Sequence, residues 1–336
     1  MRVLGALAVV VLHVSAFPVA TVATDEPAWW LANLSNAVSR FGDAIIIMTA
    51  GALLLGRPSA RQPLVFVRGR FLRLLPAVLC WSAFYLLLRW RTVGLPSGGE
   101  IVIELLRGVP YYHLWFLYMM LGMYLIIPLL NALLSSSDRR LHYYLLALCA
   151  LLTAVEGLLR VVLDMSHASF LALFPFYLVY LLGGFLLFRD RPRISARLLL
   201  GVAALCVLLE AGGVALLHPH FGDMVFKLMY SNRGPLVMLL TFSLFLLMLR
   251  QLEQQPAWLL RWHRHGGEAL AKVTLGIYAL HPFWIDLLAR HGVGPLYGKE
   301  QTSLLALPLT AVAVFALSVF SALLLGRLPL LRRLVV

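Results

Sequence analysis

The stretch Met1-Arg2-Val3-Leu4-Gly5-Ala6-Leu7-Ala8-Val9-Val10-Val11-Leu12-His13 decides how the rest of the chain is read. It is an apolar run with an arginine at its start, a histidine eleven residues later, and nothing polar between them. At 1.5 Å per residue, a helix sets those two side chains roughly 16 Å apart along its axis, about half of a ~30 Å hydrocarbon core. His13 is then expected near the bilayer midplane, where an ionisable side chain is expensive and marks a functional site by default. The plainer alternative is a histidine that hydrogen-bonds a neighbouring helix. A cleaved signal peptide is a third reading, suggested by Arg2, the apolar run and the small residues around Ser15 and Ala16. Cleavage would discard the most unusual polar residue in the sequence.

The composition agrees with a membrane span. The chain has 336 residues, of which 61% are hydrophobic and 13% charged, with a mean hydropathy of +0.88. No soluble single-core domain tolerates that surface. Apolar runs of about twenty residues without strict alternation favour helices over a barrel. The expected fold class is an all-α polytopic membrane protein, a bundle of about ten transmembrane helices forming one integral-membrane domain over 1–336. The expected spans are 3–23, 36–56, 71–91, 112–134, 141–160, 169–188, 196–217, 234–249, 271–290 and 303–326. With these spans, 19 of the 28 Lys and Arg residues fall on one face and 9 on the other. The positive-inside rule then makes both termini cytoplasmic. The net charge of +13 would suggest nucleic acid in a soluble protein; here the distribution of charge matters more than its total, and no nucleic-acid partner is expected. Cys80, Cys149 and Cys206 lie far apart inside apolar runs and read as core residues. No metal site is expected, because His218-Pro219-His220 reads as a turn.

Within this frame a few polar residues stand out. Asp43 falls near the outer end of the second span, where the helix dipole favours a carboxylate. Arg70 and Arg73 lie at i and i+3 on one helix face, and Arg73 leads into an apolar run that carries it towards the membrane. Anchoring accounts for arginines there in general; their paired placement also suits phosphate, which guanidinium forks bind, and Pro76 opens the backbone nearby. The run Tyr111-Tyr112-His113-Leu114-Trp115 fits an aromatic belt. In the ninth span Tyr278 and His281 share a face, and Pro282 is expected to kink the helix beside this second deep histidine. Gly183-Gly184 suggests close helix packing. Asp43, Glu156, Glu210 and Asp286 fall towards the outer side, whereas Arg2, Arg70 and Arg73 fall towards the inner side. His13 lies between the two groups.

These residues carry a family likeness. The Arg2-to-His13 spacing, the Arg-x-x-Arg then Leu-x-Pro of Arg70 to Pro76, the His-Leu-Trp-Phe run at His113 and Leu-Gly-Ile-Tyr-x-x-His ending at His281 occur in that order along nearly the whole chain. Together they resemble the acyltransferase family 3 membrane proteins, most closely the branch that O-acetylates surface polysaccharides of the enterobacterial common antigen type. The resemblance implies a ten-helix protein of the bacterial inner (cytoplasmic) membrane. Such a protein takes an acyl group, acetyl by default, from cytoplasmic acyl-CoA and passes it to a hydroxyl of a glycan or lipid-linked sugar. Acetyl-CoA would be the co-substrate, with membrane lipid around the protein. His13 would be catalytic, with Asp43 as a carboxylate able to orient it as the third member of a triad does. Arg2, Arg70 and Arg73 would contact the CoA. His113, Trp115, Tyr278 and His281 would bind substrate or support the site.

Two departures from the family pattern are visible. Members commonly carry an Asp shortly before the first arginine, so the start lies upstream of Met1 or that residue is dispensable. Where many have Phe-Phe-x-x-Ser-Gly, this chain has Ile46-Ile47-Met48-Thr49-Ala50-Gly51. Any hydroxyl role would pass to Thr49. His13 could act as general base or carry the acyl group itself. The competing functions are a proton-coupled transporter or polysaccharide flippase, for which no similarity between the two halves is found, and a scaffold that has lost catalysis, favoured by Ala50.

Overall fold

Backbone polar groups in lipid must be satisfied within their own segment, so long apolar runs become helices. The computed structural model describes residues 1–57, 62–94, 97–136, 138–162, 174–262, 266–291 and 303–336, and no strand occurs among them. The helices are α1 (Arg2–Thr21), α2 (Pro27–Ser39), α3 (Phe41–Leu54), α4 (Pro63–Val93), α5 (Gly98–Arg107), α6 (Trp115–Ser136), α7 (Arg139–Val162), α8 (Leu178–Asp190) and α9 (Ala196–Phe221). They continue with α10 (Met224–Met229), α11 (Pro235–Gln254), α12 (Ala257–Trp262), α13 (Glu268–Lys272), α14 (Thr274–Arg290), α15 (Ala306–Arg327) and α16 (Arg332–Val335).

Seven stretches among the described residues are long and apolar enough to cross a membrane: α1, the joined α2 and α3, α4, α6, α9, α11 and α15. The chain is therefore a multi-pass membrane protein. Three of the ten expected spans do not reach that standard. The span at 271–290 becomes the 17-residue α14, and only the 13-residue α8 and the short 3₁₀ turn Phe174–Tyr177 are described for 169–188. The span at 141–160 becomes the 24-residue α7, whose first turns carry Arg139, Arg140 and His142. The second expected span, 36–56, begins earlier than its hydropathy suggested. Helices α2 and α3 meet at Arg40, whose backbone stays right-handed, and together make a 28-residue stretch.

Helix α1 lies at the centre. It packs against α2, α3, α14 and α15, and Val9, Val10 and Val14 are fully buried. Small residues make this possible: a Cβ on Gly5 would come within 2.9 Å of the Gly42 carbonyl of α3. Close backbone approach recurs between α3 and α8, where a Cβ on Gly51 would meet the Leu181 carbonyl at 1.9 Å and one on Gly184 the Met48 carbonyl at 2.0 Å. Gly184 thus makes the tight packing expected of the glycine pair, as small residues do wherever helix backbones touch. Leucines such as Leu72, Leu79 and Leu87 of α4 and Leu198, Leu205 and Leu216 of α9 project outward, as a lipid-facing surface requires.

Candidate functional site

The three arginines singled out in the sequence meet in space. Arg2 at the start of α1, Arg70 and Arg73 of α4, and Lys272 of α13 line one cavity of about 440 Å³. Its apolar walls include Ile46, Leu53, Leu117 and Met120, and Tyr278 also lines it. Arg70 is half-buried, its guanidinium lying over the rings of Phe66 at 5.4 Å and Tyr124 at 6.0 Å. Lys272 pairs with Glu268 at 2.7 Å. Among the described residues no carboxylate pairs with Arg2, Arg70 or Arg73. Three unneutralised guanidinium groups at one mouth suit a phosphate-bearing ligand. Thr49 and Ala50 line the same cavity, but the Thr49 hydroxyl donates to the Ile45 carbonyl at 2.7 Å.

The histidines form a second group that Tyr278 links to the first. His13 of α1, His113 in the turn before α6 and His281 of α14 face one another, with ring centroids 4.9 Å apart for His13 and His281 and 5.4 Å for His113 and His281. Tyr278 has its ring 5.6 Å from His113 and 5.7 Å from His281, and its hydroxyl donates to the His113 carbonyl. His113 and His281 are completely buried, whereas His13 keeps partial exposure. His13 Nδ1 lies 2.9 Å from the Val9 carbonyl and 3.1 Å from His281 Nε2. Neither His113 ring nitrogen has a hydrogen-bond partner of good geometry, although the Ala279 carbonyl is near.

The shape of α14 explains how its histidine gets there. Pro282 has no N–H to give the Tyr278 carbonyl one turn back. The His281 ring approaches that carbonyl instead, with Nδ1 at 2.6 Å. One residue on, the Tyr85 hydroxyl of α4 donates to the Ala279 carbonyl at 2.6 Å and accepts from the Phe283 amide at 3.2 Å. A side chain set into the helical ladder beside a proline is a recognised cause of a bend. Tyr85 also stacks on Tyr111 at 4.5 Å, and the Tyr111 hydroxyl donates to Asp286.

Asp43, expected near the outer end of its span, sits sixteen residues beyond Pro27, buried, beside Arg40 and the Asn232 side chain and close to Tyr278; it makes no hydrogen bond to His13. The hydrogen-bonding partner of His13 from another helix is His281. Trp115, at the start of α6, lies against Tyr177 with the rings tilted and their centroids 5.2 Å apart. Glu210 is fully buried and, like Asp43, is held near Arg40. The Glu156 side chain lies outside the described residues.

Sequence reasoning missed the network that surrounds Arg40. Its Nε donates to Asn36 Oδ1 at 2.9 Å and its Nη1 to the Tyr230 carbonyl at 3.0 Å, and the guanidinium lies 4.3 Å from the Tyr230 ring centroid. Asn36 Nδ2 reaches the Leu12 carbonyl at 3.1 Å and Ser15 Oγ at 2.9 Å, tying the network to α1 beside His13. Asn33 Nδ2 donates to the Ala211 carbonyl of α9 at 2.9 Å. The signal was present: Asn33, Asn36, Arg40 and Asp43 are spaced by three, four and three, the period of a single helix face.

The described helices thus hold a basic cavity at the start of α1 and an imidazole cluster at His13 further along it, inside a membrane-embedded bundle. The sequence profile of acyltransferase family 3, an acyltransferase domain, matches residues 1–327. The chain belongs to that family and is a membrane acyltransferase. No curated protein and no solved structure matches it significantly.

Proposed function

We propose that this protein transfers an acyl group, acetyl by resemblance to its polysaccharide-modifying relatives, from cytoplasmic acyl-CoA to a hydroxyl of a cell-surface or lipid-linked sugar, in a bacterial inner membrane. The observation that carries the reading is the one cavity in which Arg2, Arg70 and Arg73 converge without acidic partners among the described residues. Their forks would hold phosphate oxygens of the donor at the cytoplasmic face. His13, eleven residues along the helix that begins at Arg2, would do the chemistry. As general base it takes the proton of the acceptor hydroxyl while the oxygen attacks the thioester carbonyl. The carbon–sulfur bond breaks and the proton ends on the departing thiolate. In the covalent variant His13 attacks first and passes the acyl group on.

Purified protein in lipid nanodiscs, given labelled acetyl-CoA, tests this. Binding should be saturable and should weaken at least about tenfold in Arg70→Ala and Arg73→Ala, since a hydrogen bond to a charged group contributes about 1.5–3 kcal/mol. Transfer should be lost in His13→Ala. Normal transfer by His13→Ala, or binding indifferent to both arginine changes, overturns the reading. Mass spectrometry of surface glycan from cells with and without the protein would identify the acyl group and, by fragmentation, the acceptor.

A further inference from the structure

We propose that His281 is a positioning residue that fixes the tautomer of His13, and that Pro282 is what frees His281 to do so. The inference rests on His13 being the reacting group, but its geometry is independent of that. A carbonyl oxygen only accepts, so the His281 Nδ1 at 2.6 Å from the Tyr278 oxygen carries the hydrogen. In a neutral ring Nε2 then holds a lone pair. That lone pair faces His13 Nδ1 at 3.1 Å, and Nδ1 is also 2.9 Å from the Val9 carbonyl. Two acceptors converge on one nitrogen, so His13 carries its hydrogen on Nδ1 and shares it between them. Its Nε2 is left as the free base, on a side chain that keeps partial exposure.

The chain of cause runs back to one amino acid. With any residue but proline at 282, an amide N–H would bond the Tyr278 carbonyl and compete with His281 Nδ1. His281 would then be free to rotate or to place its hydrogen on Nε2, against His13. Among the described residues, none of the three histidines hydrogen-bonds a carboxylate. A neutral imidazole therefore stands where a hydrolytic triad places an acid. When His13 gains a proton at Nε2, its Nδ1 hydrogen already points at two acceptors, and nothing has to reorganise.

The tautomer is read directly by nitrogen NMR of histidine-labelled protein in nanodiscs, without substrate, at a pH where His13 is neutral. The expected result is an unprotonated Nε2 on His13, with that preference weakened in His281→Leu and in Pro282→Ala. In turnover, His281→Leu should lower kcat on the order of 10²-fold and leave the KM for acetyl-CoA unchanged. His281→Gln, which puts an amide oxygen where Nε2 was, should recover most of the loss. A wild-type His13 protonated on Nε2, an unaltered tautomer and kcat in His281→Leu, or a His281→Gln enzyme as slow as His281→Leu overturns the proposal. If the tautomer is as expected but His13→Ala still transfers acetyl, the relay stands and the reading of His13 as catalyst falls.

Discussion

Among single residues outside the proposed catalytic groups, Arg40 is the cation of a polar network. It lies between two acids on different helices, Asp43 and the fully buried Glu210, whose carboxylate oxygens have no hydrogen-bond partner. Removing the only cation of such a set leaves buried charge uncompensated, a loss of about 3–5 kcal/mol. Arg40→Leu is therefore expected to abolish the monodisperse peak of solubilised protein, and adding Glu210→Leu and Asp43→Leu should restore much of it. An Arg40→Leu protein as well folded as wild type would show that the acids need no counter-ion. The same residues mark how far the sequence is legible. Arg2, His13, Arg70, Arg73, Tyr278 and His281 are found because ionisable or polar groups inside apolar runs are costly. The pairings of Asn33 with Ala211, 178 positions apart, and of Tyr85 with Ala279, 194 apart, depend on which helices become neighbours. That information resides in packing, not in any local pattern. For the same reason the hydrogen-bonding partner of His13 escapes a sequence reading: the contact is made by His281 of α14, 268 positions away.

At the level of helices, position is set by what the backbones can approach. Helix α3 has α1 on one side through Gly5 and Gly42, and α8 on another through Gly51 and Gly184. The α3–α8 contact is backbone against backbone, so no side chain can move aside to admit a larger residue. Gly184→Val is expected to separate the two helices or prevent assembly, read as loss of the folded fraction and of acetyl-CoA binding together. Gly69→Ala, with nothing within 4 Å of the added methyl, should leave both intact, and the added alanine should slightly favour the helix. Equal behaviour of the two variants would mean that α3 and α8 do not touch as described. The glycine pair is readable in sequence as a packing signal, but its partner is not. Likewise the early start of the second span at Pro27 escapes a hydropathy reading, because Asn33, Asn36 and Arg40 dilute the apolar signal while pointing inward.

At the scale of the whole bundle, the crossings between Arg2 and Val336 are constrained by where those two residues lie. Arg2 and Val336 line the same cavity, so α1 begins and the chain finishes at one end of the bundle. A chain that starts and finishes on one side of a membrane crosses it an even number of times. The seven stretches that meet the length and hydropathy standard are odd in number, so at least one further segment has to cross. The three expected spans without a qualifying helix, at α7, α8 and α14, are the candidates, and with all three the total would be the ten expected from the sequence. Helix α14 is the best founded of them, because it carries His281 to His13 in the middle of α1 and packs along both α1 and α15. The excess of arginine on the face that holds Arg2, Arg70 and Arg73 leads us to propose that this face is cytoplasmic. Reporter fusions at both termini should accordingly be active only in their cytoplasmic form, fluorescent for a protein that folds in the cytoplasm and silent for a periplasmic phosphatase. Termini on opposite faces would be incompatible with Arg2 and Val336 lining one cavity. Two periplasmic termini would instead put the arginine mouth on the wrong side for a cytoplasmic donor, and with it the proposed direction of acyl transfer.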